Sequence, residues 1–242
     1  CGECSWCRAD VPKHCLSRRA VGIQGWDGAF AQYLKVPEAN VHLVEAGIRD
    51  EEAVFAEPLA AALDVSQQVH IRSSDRVLVM GDGKLGLLIA LCLRTLTPHL
   101  VLLGRHSEKL ETARKQGIEV FNVSTPQDDP SAPSPPGSFD VVVEATGSDL
   151  GIQEALAFLR PRGTLVLKTT SRVPSSVNSA RIVVDEIKIA GSRCGDLRLA
   201  LSYLKRRLLD VTPLIDGIYP SAEFETAFRH AFGPGGKKIL LR

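Results

Sequence analysis

The sequence predicts an α/β chain: a doubly wound parallel sheet, with a smaller β-rich piece ahead of it. Three observations carry that prediction. Strand-like apolar runs alternate with helix-like runs between residues 76 and 191, the order in which parallel strands and their crossover helices follow one another. The first such strand leads into the loop GDGKLG at residues 81–86, which opens the next helix. Ahead of it, Cys1, Cys4, Cys7 and Cys15 crowd four of the six cysteines into the first fifteen residues, a spacing that belongs to a site rather than to a core.

In order along the chain, residues 20–50 mix short alternating apolar runs with Gly, Pro and Asn, which reads as small strands joined by turns. Trp6 and Trp26 are expected to fill that piece. Val54, Phe55, Leu59, Ala62, Leu63 and Val69 then fall at helical spacing. A strand over residues 76–80, a helix through LLIALCLRTL, a strand over 99–104, a helix through SEKLETARKQG and a strand in IEVFNV follow. Gly117 closes the second of those helices. Residues 124–138 hold five prolines and no apolar period, so they form an exposed connection, read here as a long crossover within one sheet. The pattern resumes with FDVVVEATG, a helix around IQEALAFLR, a PRG turn, TLVLKTT and DEIKIAGS. That makes six strands, the complement of a complete Rossmann domain. Two helical patterns and a closing strand, KKILLR, end the chain.

Composition removes other classes. With 44% apolar and 24% charged residues over 242 positions the chain is globular. A net charge of +1 gives no electrostatic footprint for nucleic acid, and no apolar run approaches the roughly 18 residues that would cross a bilayer. Cys92 and Cys194 stand far from the cluster and suggest no disulfide framework. Reduced thiols, a cytoplasmic setting and a small-molecule partner are the expectation.

Gly81, Gly83 and Gly86 form GxGxxG directly after a strand and at the start of a helix. Alone the pattern is loose; in that context the glycines allow a tight turn, close backbone approach to a pyrophosphate and close helix-on-strand packing. Asp82, Lys84 and Leu85 lie within the same loop, and free N–H groups of the following helix would face the phosphates. About twenty residues on, where an acidic side chain would bond the ribose 2′-hydroxyl of NAD, stand Gly104, Arg105 and His106. Glycine leaves room and arginine offers a two-pronged donor, so NADP(H) is favoured over NAD(H); a solvated loop arginine is the plain alternative. Thr146, Gly147 and Lys168 lie at strand ends on the same side and are further candidate cofactor contacts.

The spacing CxxCxxCx7C of Cys1, Cys4, Cys7 and Cys15 suits four sulfurs around one zinc. A closed shell of four thiolates leaves no position for substrate, so such a zinc is structural. An iron-sulfur cluster and a CxxC redox pair are the alternatives; the long last gap and the absence of a CP dipeptide weigh against the former.

Together with DGAFAQY at residues 27–33, EPLAAAL at 57–63, EATG at 144–147, GTLVLK at 163–168 and KKILLR at 237–242, these features resemble the zinc-dependent medium-chain dehydrogenases, the superfamily of alcohol, sorbitol and threonine dehydrogenases. The resemblance implies a Rossmann domain at residues 73–195, set into a GroES-like catalytic domain of which residues 1–72 and 196–242 are parts. It implies a structural zinc on the four cysteines and dimers or tetramers of the chain, paired through the strand around EIKIAG. It also places Glu57 at or near a catalytic zinc whose other ligands come, in that family, from a stretch before the cysteine lobe. A helix-capping role for Glu57 beside Pro58 is the local alternative. The activity implied is reversible hydride transfer between NADP(H) and an alcohol or polyol, with this chain expected to hold catalytic zinc poorly and to be weak or inactive by itself. A metal-independent reductase of the quinone-oxidoreductase branch and a zinc-stabilised NADP-binding module without catalysis are the competing readings.

Overall fold

The computed structural model describes residues 1–124, 137–171, 173–233 and 236–242, so residues 125–136 of the proline-rich connection lie outside the described residues. The chain forms two compact units, Cys1–Leu43 and Val44–Arg242.

Within Cys1–Leu43, α1 (Ser5–Arg8) is a single turn, followed by 3-10 turns at Pro12–His14 and Glu38–Asn40. The small strands expected from residue 20 onwards are not found among the described residues; an isolated bridge between Ala20 and Gln24 is present instead. A strand needs a partner and a face to bury. The apolar side chains that suggested strands have neither here: Phe30 and Tyr33 are 82% and 93% exposed. Nor do the tryptophans form a core. Trp6 is exposed, and Trp26 lies under the Arg19 guanidinium at 4.2 Å and donates its indole N–H to the Lys35 carbonyl.

The second unit follows the alternation read from the sequence. Its elements are α2 (Asp50–Ala53), α3 (Ala56–Gln68), β1 (Val77–Met80), α4 (Lys84–Arg94), β2 (Leu100–Gly104), α5 (Ser107–Lys115), β3 (Glu119–Asn122), β4 (Phe139–Glu144), α6 (Gly151–Phe158), β5 (Leu159–Leu167), α7 (Ser179–Val184), β6 (Lys188–Gly191), α8 (Leu197–Lys205), β7 (Ile215–Tyr219), α9 (Phe224–Phe232) and β8 (Lys238–Leu241). Six of the strands form one sheet in the order β3-β2-β1-β4-β5-β6, with every adjacent pair parallel. β7 and β8 pair, also in parallel, in a second sheet. The PRG segment expected as a turn is instead taken into β5, where Arg162 adopts a φ of 62° and the register against β4 shifts.

Successive residues of the central strands face opposite sides. Val77, Val79, Val141 and Val143 pack with Leu59 and Leu63 of α3, Leu88 of α4, Leu110 of α5 and Ala200 of α8. Leu78, Met80 and Val142 pack on the other face with Ala155 and Leu156 of α6. Both faces are covered, which is why these strands read as unbroken apolar runs. Because α3 and α8 share one core with α4, the boundaries expected at 72/73 and 195/196 correspond to no break in packing. The chain order reverses between β1 and β4, and that reversal opens a crevice at the carboxyl ends of the strands.

Candidate cofactor site and metal centre

Each glycine of the loop after β1 has its own reason. Gly81 has a φ of +109°, and a Cβ there would stand 2.4 Å from the Ala145 carbonyl oxygen. A Cβ on Gly86 would meet the Gly81 carbonyl oxygen at 1.9 Å, so α4 can approach the strand only with glycine at that position. Gly83, the N-cap of α4, faces open space. That space belongs to a cavity of about 660 Å³, and of the residues expected to hold a cofactor, Gly81, Asp82, Gly83, Arg105, Thr146 and Gly147 line it.

Asp82 is 5% exposed and turned towards the end of β2. Its carboxylate accepts the Arg105 N–H at 2.9 Å and the His106 N–H at 2.6 Å, and His106 Nδ1 lies 3.1 Å from both oxygens. Burial pushes its pKa up, but the two N–H groups and the imidazole outweigh that and hold the carboxyl below the usual aspartate value. Gly104 does not line the cavity. A Cβ there would come within 2.5 Å of the Asp82 Cβ, so glycine at 104 makes room for Asp82. Across the crevice, Thr146 donates its N–H and its hydroxyl to Glu144 Oε1 at 2.8 and 2.6 Å, and the Gly147 N–H donates to the Thr169 hydroxyl. These bonds fix the turn after β4.

Three expected contacts lie elsewhere. Lys168 is buried beside α3, donating to the Ala61 carbonyl at 2.7 Å, the Ser192 hydroxyl and the Arg193 carbonyl, and so ties α3 to the segment after β6. Lys84 and Leu85 line a separate cavity of about 310 Å³ together with Glu57, Pro58, Lys237 and Lys238. There, burial and then the Lys84 ammonium push Lys238 below the usual lysine value, with Glu57 pulling the other way. Glu57, in the first turn of α3, therefore lies within electrostatic reach of the Lys238 ammonium. Among the described residues it has no set of His, Cys or carboxylate partners within reach of one metal ion. The residues present do not fit a catalytic zinc. Cys194, which stands apart from the cluster in the sequence, is exposed. Cavity residues that the sequence did not single out include His106, Lys109, Ser148 and Glu154; the basic run GRHSEK was the available signal for the first two.

In Cys1–Leu43 all four cysteines are free thiols. Their sulfurs lie within 4.8 Å of one another, with Cys4–Cys7 at 3.6 Å and Cys1–Cys15 at 3.5 Å. Sulfurs held about 2.3 Å from a tetrahedral zinc stand about 3.8 Å apart, so the cluster fits that ion. α1 sets Cys4 as its N-cap and carries Cys7, and the turn at Pro12–His14 returns Cys15. A backbone hydrogen bond from Cys7 outweighs burial and lowers Cys4 to about 7, which eases the deprotonation a metal requires.

The sequence pattern of the zinc-binding dehydrogenases matches residues 85–209, from the glycine loop across the sheet to the end of α8 and beyond. The chain belongs to the zinc-binding dehydrogenases. The L-threonine 3-dehydrogenase of Streptomyces avermitilis is 31% identical to it over 248 residues, a match covering 100% of this chain and 72% of that protein. The sorbitol dehydrogenase of Halalkalibacterium halodurans is 29% identical over 252 residues, covering 100% and 73%. Among solved structures, a short chain alcohol dehydrogenase of Escherichia coli CFT073 complexed with NADH superposes with a TM-score of 0.89 at 26% identity, covering 100% of this chain and 73% of that one. This zinc-binding dehydrogenase is thus one of a family of NAD(P)-dependent oxidoreductases, and its glycine cradle, open where a Cβ would intrude, fits the phosphates of such a cofactor.

Proposed function

We propose that this dehydrogenase chain holds NADP(H) in the cavity beside β1 and serves hydride exchange with an alcohol or polyol carbon, the nicotinamide supplying or accepting the hydride when bound. One observation carries the choice of cofactor. At the end of β2 the chain places no outward carboxylate: Gly104 is followed by Arg105, whose side chain lines the cavity. The Asp82 carboxylate is already engaged by the loop backbone and by His106. A guanidinium in that position suits a 2′-phosphate. Gly81, Gly83 and Gly86 would admit the pyrophosphate, Thr146 and Gly147 would border the cofactor, and Cys1, Cys4, Cys7 and Cys15 would hold a structural zinc. Thiols kept reduced for that zinc suit a cytoplasmic setting. The exposed edge strand β6, with Ile189 on it and Val183 and Val184 exposed on the preceding helix, suits pairing between two copies of the chain.

Glu57 among lysines favours a second reading, in which this chain binds cofactor under a zinc-stabilised lobe without turning over substrate. Fluorescence titration with NADPH and NADH, alongside alcohol and polyol turnover with each oxidised cofactor, tests both. We expect NADPH to bind about tenfold more tightly than NADH and Arg105→Ala to erase most of that difference. A preference for NADH, or unchanged NADPH affinity in Arg105→Ala, overturns the cofactor assignment. Tight binding with no turnover leaves the second reading in place.

A further inference from the structure

We propose that Glu144 is a positioning residue for the cofactor, its buried carboxylate setting the turn that walls one side of the cavity; this rests on the nicotinamide-cofactor reading above. Glu144 ends β4, is 1% exposed and does not itself line the cavity. Thr146, Gly147 and Ser148, just after it, do. Glu144 Oε1 accepts the Thr146 N–H at 2.8 Å and the Thr146 hydroxyl at 2.6 Å, and Thr146 Oγ1 in turn accepts the Ser148 N–H at 3.0 Å. One carboxylate oxygen thus organises that whole wall. The start of α6 leaves it room, because a Cβ on Gly151 would stand 2.5 Å from the same oxygen.

The second oxygen, Oε2, is buried with no hydrogen-bond partner among the described residues. A buried polar atom left unpaired costs stability. A glutamate held there despite that cost serves the turn rather than the fold, and it does so through Oε1 alone. The turn in its place abuts the glycine loop: a Cβ on Gly81 would come 2.4 Å from the Ala145 carbonyl oxygen and 3.0 Å from Thr146 Cα. A turn free to shift would therefore open or narrow the cavity beside the glycine cradle. Asp82 plays the same part across the cavity, where it holds the N–H groups of residues 105 and 106.

The test is titration with NADPH and with NADH of the wild-type chain, Glu144→Leu, Glu144→Gln, Thr146→Val and the double variant Glu144→Leu/Thr146→Val, together with the Tm of each ligand-free protein. We expect Glu144→Leu to weaken both nucleotides about tenfold or more, and alike, because the loss lies in the wall and not at the 2′-position. Glu144→Gln keeps an acceptor in place of Oε1 and should recover most of that loss. The losses of Glu144→Leu and Thr146→Val should not multiply in the double variant, since each breaks the same hydrogen bond. Multiplied losses would mean that Thr146 meets the cofactor independently of Glu144, and the proposal falls. It falls equally if Glu144→Leu lowers the Tm and leaves both affinities unchanged, the behaviour of a merely structural glutamate. Gly151→Ala crowds the carboxylate from α6 without removing it, and it should weaken both nucleotides even where Glu144→Leu does not fold; unchanged affinities there overturn the proposal. If the wild-type chain binds neither nucleotide, the cofactor reading itself falls and this one with it.

Discussion

In Cys1–Leu43 one side chain is buried, Cys15 at 2% exposure, whereas every other buried side chain described lies in Val44–Arg242. The two units therefore answer the same entropic demand by different means. A stretch this short cannot withdraw enough apolar surface from water to repay the ordering of its backbone. What organises it is the convergence of four sulfurs, brought together by one helical turn and one 3-10 turn. The larger unit holds a sheet sealed on both faces, and its cofactor cavity is a by-product of where that sheet reverses direction. Four converging thiols shape the first unit and burial the second.

The sharpest way to break that contrast is to take the metal away. Both tryptophans, Trp6 and Trp26, lie in the first unit, so indole fluorescence reports on it, while far-UV circular dichroism is dominated by the helices and strands of the second. Chelation, or Cys15→Ser, is expected to abolish the folded fluorescence signal and open residues 1–43 to proteolysis. Structural zinc in small modules contributes on the order of 10 kcal/mol of apparent binding free energy near neutral pH, far more than the lobe's contacts can replace. Circular dichroism and cofactor binding should persist. Simultaneous loss of both signals would show that the second unit depends on the first, and an unaltered lobe would show that zinc does not hold it.

The converse substitution lies in the larger core. Leu59 of α3 is fully buried against α4 and the sheet. Leu59→Ala should cost about 2–5 kcal/mol, read as a shift of the urea midpoint by circular dichroism, with the fluorescence transition unmoved. A shift in the fluorescence transition alone would mean that α3 stabilises the wrong unit for this account.

The contrast also explains what was legible in the sequence. Strands buried on both faces declare themselves as apolar runs, so β1, β2 and β4 were readable, as was the glycine loop that needs a strand before it and a helix after it. β7 was not, because Gly217 and Asp216 interrupt its apolar pattern, and α7 is a short run of β-branched residues with no period to read. The strands expected from residue 20 onwards failed for a different reason: alternation signals a strand only where a partner and a buried face exist. At the site, Arg105 was visible from its place after β2. Lys109 was not, since a lysine on a helix normally reads as solvent-facing and only the fold shows it buried. Gly104 was legible as a need for space, but the space is filled by Asp82. Lys168 looked like a crevice residue from its strand end, yet its side chain turns to α3.

The smallest expected effect examines the lobe's apolar surface. Tyr33 is 93% exposed, and if metal rather than burial organises Cys1–Leu43, Tyr33→Ser should change the fluorescence-monitored unfolding by no more than about 0.5 kcal/mol, the usual range for a surface substitution away from special features. Zinc content should not change either. A tyrosine that contributes through burial would behave otherwise, since losing a covered aromatic ring costs several kcal/mol. A loss of that size in Tyr33→Ser, with the four thiolates intact, would mean that the ring is covered in solution, and the contrast between a metal-organised lobe and a burial-organised sheet would have to be redrawn around that contact.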